Sequence, residues 1–269
     1  MDPKIIDEKF EEIWKDLLLE SDLITPQERP AGYVLGGQPG AGKSYFTKTL
    51  LDELWGNAVV INADNYRKYH PDYIELQKDG HEVSVDATAA FAGNMAEKLL
   101  GRALDGKYNV IIEGTFRTSE TPCKTLRKMK DSGYRTHIRV QTCPAELSWE
   151  SCQERYRAML ALNPDEARVT KRESHDTVVK NLPENIGKVI ESGLADDTVV
   201  ATRNKAGERQ VMFDSRTGMA FSEKALRSVL DGPGSGIEMK VKKDGKTIIL
   251  SLPQKTRRSR REESCSYGR

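Results

Sequence analysis

The sequence predicts an α/β fold: a mostly parallel sheet with helices on both faces, followed by a small basic C-terminal extension. Three observations carry this. Short apolar runs alternate with stretches of helical apolar spacing along residues 31–231, the order that a parallel sheet with crossover helices requires. Gly37-Gln38-Pro39-Gly40-Ala41-Gly42-Lys43-Ser44 fits the phosphate-loop pattern G-x-x-x-x-G-K-[ST] at every fixed position, between a strand-like and a helix-like run. Composition then changes at Gly232: residues 233–269 hold ten Lys/Arg against four Asp/Glu, a net of +6 that leaves −5 for the rest of a chain whose total is +1.

In chain order, residues 3–20 place Ile5, Ile6, Phe10, Ile13, Trp14, Leu17 and Leu18 on one face of a helix, which packs on the parent domain or takes a partner. Residues 21–30, with Pro26 and Pro30, connect it to the first strand, 31–36. After the phosphate loop, Phe46, Leu50, Leu51 and Leu54 mark a helix, and 58–61 a buried strand that ends at Asn62-Ala63-Asp64. His70-Pro71-Asp72 breaks the chain, and Phe91, Met95, Leu99 and Leu100 lie on a helix over 87–104. A strand over 108–112 ends in Glu113-Gly114-Thr115; helix 118–131 and strand 136–141 follow. Helix 144–161 has Pro144 in its first turn, and Asn163-Pro164-Asp165 opens a polar connector holding Arg168. A helix over 174–192 is expected to break near Pro183. Strands at 198–200 and 210–213 and a helix at 221–230 complete the unit. Residues 232–236 read as a linker, 237–250 as a hairpin turning at Asp244-Gly245, and the arginine-rich end as a disordered tail. The expected organisation is therefore an N-terminal helix and connector (1–30), a phosphate-loop domain (31–231) and a basic extension (232–269).

Composition narrows the function classes. A net charge of +1 argues against a surface devoted to nucleic acid or membrane, leaving the basic tail as the one place for an anionic partner. No apolar run approaches the ~18 residues that a membrane span needs. The first residues lack the apolar core of a signal peptide. The four cysteines form no C-x-x-C pair, so free thiols in the cytoplasm are expected and a zinc site is not.

The loop's chemistry needs its residue types. Glycines let successive N–H groups face inward around phosphate oxygens, and the next helix adds its N-terminal dipole. Lys43 supplies a charge to the phosphates and Ser44 a hydroxyl for Mg²⁺, so ATP and Mg²⁺ are the expected cofactors. Transfer to a hydroxyl further needs a carboxylate at the acceptor, cations for the moving phosphoryl group and a pocket that excludes water. Asp64, at the carboxyl end of a strand, is placed to be that base or an indirect Mg²⁺ partner. Glu113 stands in the same crevice or meets only solvent and backbone. By pattern alone Glu97 is a solvated helix carboxylate, His70 a turn residue, and Arg155 and Arg168 surface arginines unless an intervening lid closes them over the phosphates. His81, His137 and His175 form no triad with any serine the sequence singles out, and H-E-x-x-H is absent.

Over residues 31–213 the chain resembles the zeta toxin family, the toxin half of epsilon/zeta-type toxin–antitoxin systems. The blocks that carry the resemblance are the phosphate loop, Asn62-Ala63-Asp64-Asn65-Tyr66-Arg67 with His70-Pro71, Ile112-Glu113-Gly114-Thr115-Phe116-Arg117-Thr118, Glu154-Arg155-Tyr156 with Ala167-Arg168, and His175-Asp176-Thr177-Val178-Val179-Lys180-Asn181-Leu182-Pro183. The resemblance implies a phosphate-loop kinase that phosphorylates the 3′-hydroxyl of the amino sugar of UDP-N-acetylglucosamine and so blocks cell-wall synthesis. It makes Asp64 the base, Lys43 and Ser44 the phosphate and Mg²⁺ holders, and Arg155 and Arg168 the cations on the transferring group. His70, Glu97, Glu113, Thr115, Arg117 and Thr125 would line the sugar-nucleotide pocket. Asn62 departs from the acidic residue that the family often carries there, which weakens any metal or substrate role for that position. With no inhibitory three-helix domain ahead of the core, a separate epsilon-type antitoxin is expected to cover the nucleotide site near Lys43. The alternatives are a kinase for another small-molecule or nucleic-acid hydroxyl, or a nucleotide-dependent switch without turnover.

Overall fold

In the computed structural model, which describes residues 2–19, 22–232, 239–243 and 246–250, the apolar runs become the strands of a six-stranded sheet. β1 (Ala31–Gly36), β2 (Val59–Asn62), β3 (Val110–Glu113), β4 (Arg135–Thr142) and β5 (Asp197–Arg203) are parallel, and β6 (Arg209–Asp214) pairs antiparallel with β5 at one edge. The order is β2-β3-β1-β4-β5-β6. β1, which feeds the phosphate loop, is thus central, and the carboxyl ends of β2, β3 and β4 open beside it, where ligands bind in sheets of this kind.

Helices α1 (Pro3–Leu19), α2 (Ser44–Glu53), α3 (Tyr73–Asp79), α4 (His81–Ala87), α5 (Ala89–Asp105), α6 (Glu120–Asp131), α7 (Ala145–Leu162), α8 (Arg172–Glu191) and α9 (Glu223–Asp231) fill the connections. The strands alternate two faces because side chains do. Val34, Val59, Ile61, Val110, Ile138, Val140 and Val200 join residues of α1, α5, α6, α8 and α9 in the main core. Leu35 and Ile111 face the other way and meet Leu50 of α2. α1 belongs to the main core through Ile13 and Trp14, so its apolar face is spent on the parent sheet.

Two expectations need correction. Residues 73–87 form α3 and α4 ahead of α5, where the sequence showed only a chain break; both helices are too short to display a period. α8 does not break at Pro183, which sits inside it. Proline lacks the N–H that would bond the carbonyl four residues back. That carbonyl, Val179 O, instead accepts from Arg227 Nη1 of α9 at 3.1 Å, and Arg227 also donates to Lys180 O.

The hairpin strands form as β7 (Met239–Lys243) and β8 (Lys246–Leu250), antiparallel with Lys243 opposite Lys246. The Asp244-Gly245 turn, most of the linker and the arginine-rich tail lie outside the described residues. No helix among the described residues is long and apolar enough to cross a membrane.

Candidate active site

The phosphate loop is fixed from below. Gly37, Gly40 and Gly42 have φ of 131°, 76° and 93°, where side chains are strained. A Cβ on Gly37 would also stand 1.9 Å from the Gln141 carbonyl, and one on Gly40 1.9 Å from that of Ser148, so the loop lies directly on β4 and α7. Arg203, at the end of β5, donates to Ala41 O and Gly40 O, each at 2.8 Å. Lys43 Nζ donates to Gly37 O at 2.9 Å. Burial pulls this ammonium below its ordinary pKa, with the Glu113 carboxylate opposing. A half-buried cation whose hydrogen bonds go to neutral carbonyls of its own loop suits an incoming anion. Ser44 opens α2 with its side chain exposed, as a metal-ligating hydroxyl there requires. The residues present therefore fit a nucleotide polyphosphate and its Mg²⁺.

The neighbouring strand ends hold the carboxylates. Asn62 and Glu113 are register partners at the ends of β2 and β3. Asn62 Nδ2 donates to Glu113 Oε2 at 3.0 Å, and Thr47 Oγ1 of α2 donates to Oε1 at 2.7 Å, so Glu113 is held at both oxygens. Asn62 Oδ1 accepts from the Asp64 backbone N–H at 3.1 Å and caps the 3₁₀ turn Ala63–Tyr69 that presents Asp64. Arg67, one turn on, donates through Nε to Asp64 Oδ1 at 2.8 Å and is braced by Val85 O and Thr88 Oγ1. Burial alone would raise the Asp64 pKa. Arg67, with Arg168 and Arg155 farther out, outweighs it and holds the carboxyl below its ordinary value.

One crevice of about 600 Å³ is lined by Lys43, Asp64, Glu113, Thr115, Arg117, Thr125 and Arg155 together. The loop after β3 is pinned in it: Phe116 adopts φ 55°, unusual for a bulky residue, and Asn185 of α8 donates to Phe116 O at 3.0 Å and Arg117 O at 2.9 Å. Arg155 of α7 donates to Thr170 Oγ1 at 3.1 Å, and Arg168 to Asn65 Oδ1 at 3.3 Å. Arg168 lines a smaller cleft that shares Asp64. The segment carrying Arg168 is clasped by α3, where Gln77 Nε2 donates to Ala167 O at 3.0 Å.

With this geometry in view, comparison with known proteins decides the family. The sequence model described as Zeta toxin matches residues 15–217. The chain belongs to the zeta toxin family. Toxin PezT of Streptococcus pneumoniae serotype 4 is 33% identical over 228 residues, covering 85% of this chain and 88% of that protein. Toxin zeta of Streptococcus pyogenes is 33% identical over 232 residues, 85% of this chain and 79% of its own. Among solved structures, a chain from the PezAT chromosomal toxin–antitoxin system of S. pneumoniae superposes with a TM-score of 0.72 at 27% identity, covering 86% of this chain and 88% of that one. The protein is thus a kinase-like toxin of the toxin–antitoxin class, built on a phosphate-loop kinase fold.

Not every residue named from the sequence reaches the crevice of this zeta toxin. Glu97 lies outside its lining and pairs with Lys124 at 3.3 Å and with Lys128. His70 packs edge-on against Phe91, ring centroids 5.3 Å apart, and is likewise outside. Gln38 turns its side chain into the protein, fully buried. His175 does have a serine partner, contrary to expectation: Nε2 is 2.8 Å from Ser148 Oγ, and Nδ1 2.9 Å from Asp176 Oδ1. The serine and histidine come from different helices, so no local pattern announces the pair. Arg67, Thr47 and Arg203 were also missed. Only Arg67, one helical turn from Asp64, left a local signal.

Proposed function

We propose that this zeta toxin family member transfers the γ-phosphoryl group of ATP to the 3′-hydroxyl of the amino sugar of UDP-N-acetylglucosamine. The observation that carries the reading is that Asp64 and Lys43 line one open crevice together with Glu113, Thr115, Arg117 and Thr125. Bound ATP·Mg²⁺ supplies the phosphoryl group. Lys43 and the loop N–H groups would hold the phosphates and Ser44 the metal. Asp64 would orient the acceptor hydroxyl and take its proton. Glu113, held at both oxygens, would keep a fixed acceptor geometry for sugar hydroxyls, and Arg117 a charge for the diphosphate. Arg155 and Arg168 would offset charge on the moving group; Glu97 and His70 would act from outside the lining. The physical basis is positioning and electrostatics, which carry most of phosphoryl-transfer catalysis.

The test is incubation with ATP, Mg²⁺ and UDP-N-acetylglucosamine, followed by mass spectrometry. A sugar nucleotide heavier by one phosphate is expected. An unchanged sugar nucleotide beside a phosphorylated different hydroxyl compound would move the substrate assignment. We also infer a cytoplasmic site of action and a separate antitoxin chain that covers the crevice near Lys43. The likeness to a chain of the PezAT system supports the partner. Such a partner should compete with ATP for the purified protein. The division into residues 1–30, 31–231 and a basic extension is proposed with it; removing residues 233–269 should leave turnover intact.

A further inference from the structure

A second polar chain runs beneath the phosphate loop, and none of its members lines the crevice. It begins at Gln38, whose Oε1 accepts from Thr142 Oγ1 at 3.0 Å and whose Nε2 donates to Cys143 O at 2.7 Å and reaches Ser148 Oγ at 3.4 Å. Ser148 Oγ continues to His175 Nε2, and His175 Nδ1 to Asp176 Oδ1. Asp176 Oδ2 accepts from Arg172 Nε at 2.8 Å. Gln38, Thr142, Ser148 and His175 are all fully buried.

The chain is anchored at its carboxylate end. Burial opposes ionisation of Asp176, but Arg172 and His175 outweigh it and hold the carboxyl below its ordinary value, so it only accepts. His175 Nδ1 meets this carboxylate and Nε2 meets Ser148 Oγ, while the Ser148 hydroxyl also donates to Ala145 O of its own helix at 2.8 Å. The Ser148 oxygen also accepts from Gln38 Nε2 at 3.4 Å. Ser148, His175 and Asp176 meet in the order of a serine-nucleophile triad, yet Ser148 is sealed from solvent and from the crevice, so it attacks nothing.

What the chain joins is the catalytic frame. Gln38 is the second residue of the phosphate loop. Ser148 lies on α7, which also carries Arg155, and its carbonyl backs onto Gly40. His175 lies in the first turns of α8, just after the segment with Arg168. We propose that Ser148 and His175 are positioning residues, which lock Gln38 and thereby fix the phosphate loop against the helices that bring the two arginines. The inference rests on the nucleotide site of the proposed function but not on its sugar acceptor.

The test measures ATP·Mg²⁺ affinity by calorimetry on the folded full chain, beside urea stability, for the wild type, Ser148→Ala and His175→Gln. Ser148→Ala leaves Gln38 and His175 Nε2 without their shared partner and should weaken ATP binding roughly tenfold or more. His175→Gln keeps a polar group near the Nε2 position and should stay within about threefold of wild type. A Ser148→Ala protein that loses stability yet binds ATP as the wild type does would overturn the proposal and leave the chain a purely structural one. In the wild type itself, the ring ¹⁵N resonances of His175 should shift on adding ATP·Mg²⁺. Unmoved resonances at saturating nucleotide would overturn it too, and this arm decides if Ser148→Ala does not fold. A wild type that binds no ATP at all would instead sink the nucleotide site on which the proposed function stands.

Discussion

At the scale of single residues, Asp64 meets two opposed demands. A general base should hold its proton well, but Arg67, 2.8 Å away, keeps this carboxyl ionised and below its ordinary pKa. Phosphoryl transfer tolerates that, because its loose transition state asks little proton transfer until late. The carboxylate then serves mainly to orient the acceptor. Asp64→Asn should therefore lower turnover by ~10²–10⁴-fold while ATP affinity, measured by calorimetry, changes little. Arg67 gives a second handle, with a definite sign. Since Arg67 lowers the Asp64 pKa, Arg67→Gln raises it, and the carboxyl is then lost to protonation at higher pH. The acid limb of the kcat/KM profile should move to higher pH relative to wild type. An unmoved limb would mean that Arg67 only braces the turn through Val85 and Thr88.

At the scale of elements, the sites where local rules are broken are mended from far along the chain. Pro183 removes one hydrogen bond from α8, and Arg227 of α9 restores a partner to the carbonyl left over. Arg227→Ala should cost about 1 kcal/mol, seen as a lower urea midpoint, because the half-buried Val179 O then loses its protein partner. The same contrast explains what the sequence could disclose. The phosphate loop, β1 to β6 and the strand-end carboxylates Asp64 and Glu113 are local patterns, with apolar runs, glycines at fixed spacing and acidic strand ends. α3 and α4 have no period to read, yet Val85 and Asp86 of α4 wall the crevice, and α3 clasps the Arg168 segment. Arg203 supports the loop from 162 residues away, and Asn185 holds Phe116 from 69 away. Asn62 reads as a loss of charge in the sequence. In the fold it serves both neighbours, taking the Asp64 N–H and giving a donor to Glu113, which an aspartate there would repel.

At the scale of the whole molecule, the sheet is a titrating object as well as a scaffold. On β1, β4 and β5 the register aligns Tyr33, His137 and Asp197 across one face. Tyr33 stacks on His137 with ring centroids 4.6 Å apart, and His137 Nδ1 lies 2.7 Å from Asp197 Oδ2, while Arg139 also pairs with Asp197. His137 Nε2 is buried with no hydrogen-bond partner among the described residues, so a proton added there would have nothing to donate to. Burial accordingly pushes the His137 pKa down, with Asp197 opposing and Arg139 assisting. The sign of the consequence follows from proton counting. Below the ordinary histidine value of about 6.5, the unfolded chain takes up a proton that the folded chain refuses, so stability falls as pH drops from there to the folded value. His70, lowered by burial against the pull of Asp72, acts in the same sense. Asp197 adds a later stage. Burial would raise it, but Arg139 and His137 hold it low, and its contribution is lost only as pH falls through that depressed value. Urea midpoints measured between about pH 8 and 5 should decline toward acid for the wild type and decline less for His137→Gln, the remaining slope belonging to His70. Equal slopes for both proteins would mean that His137 takes its proton in the folded state as easily as in the unfolded one, with Asp197 rotating to meet it.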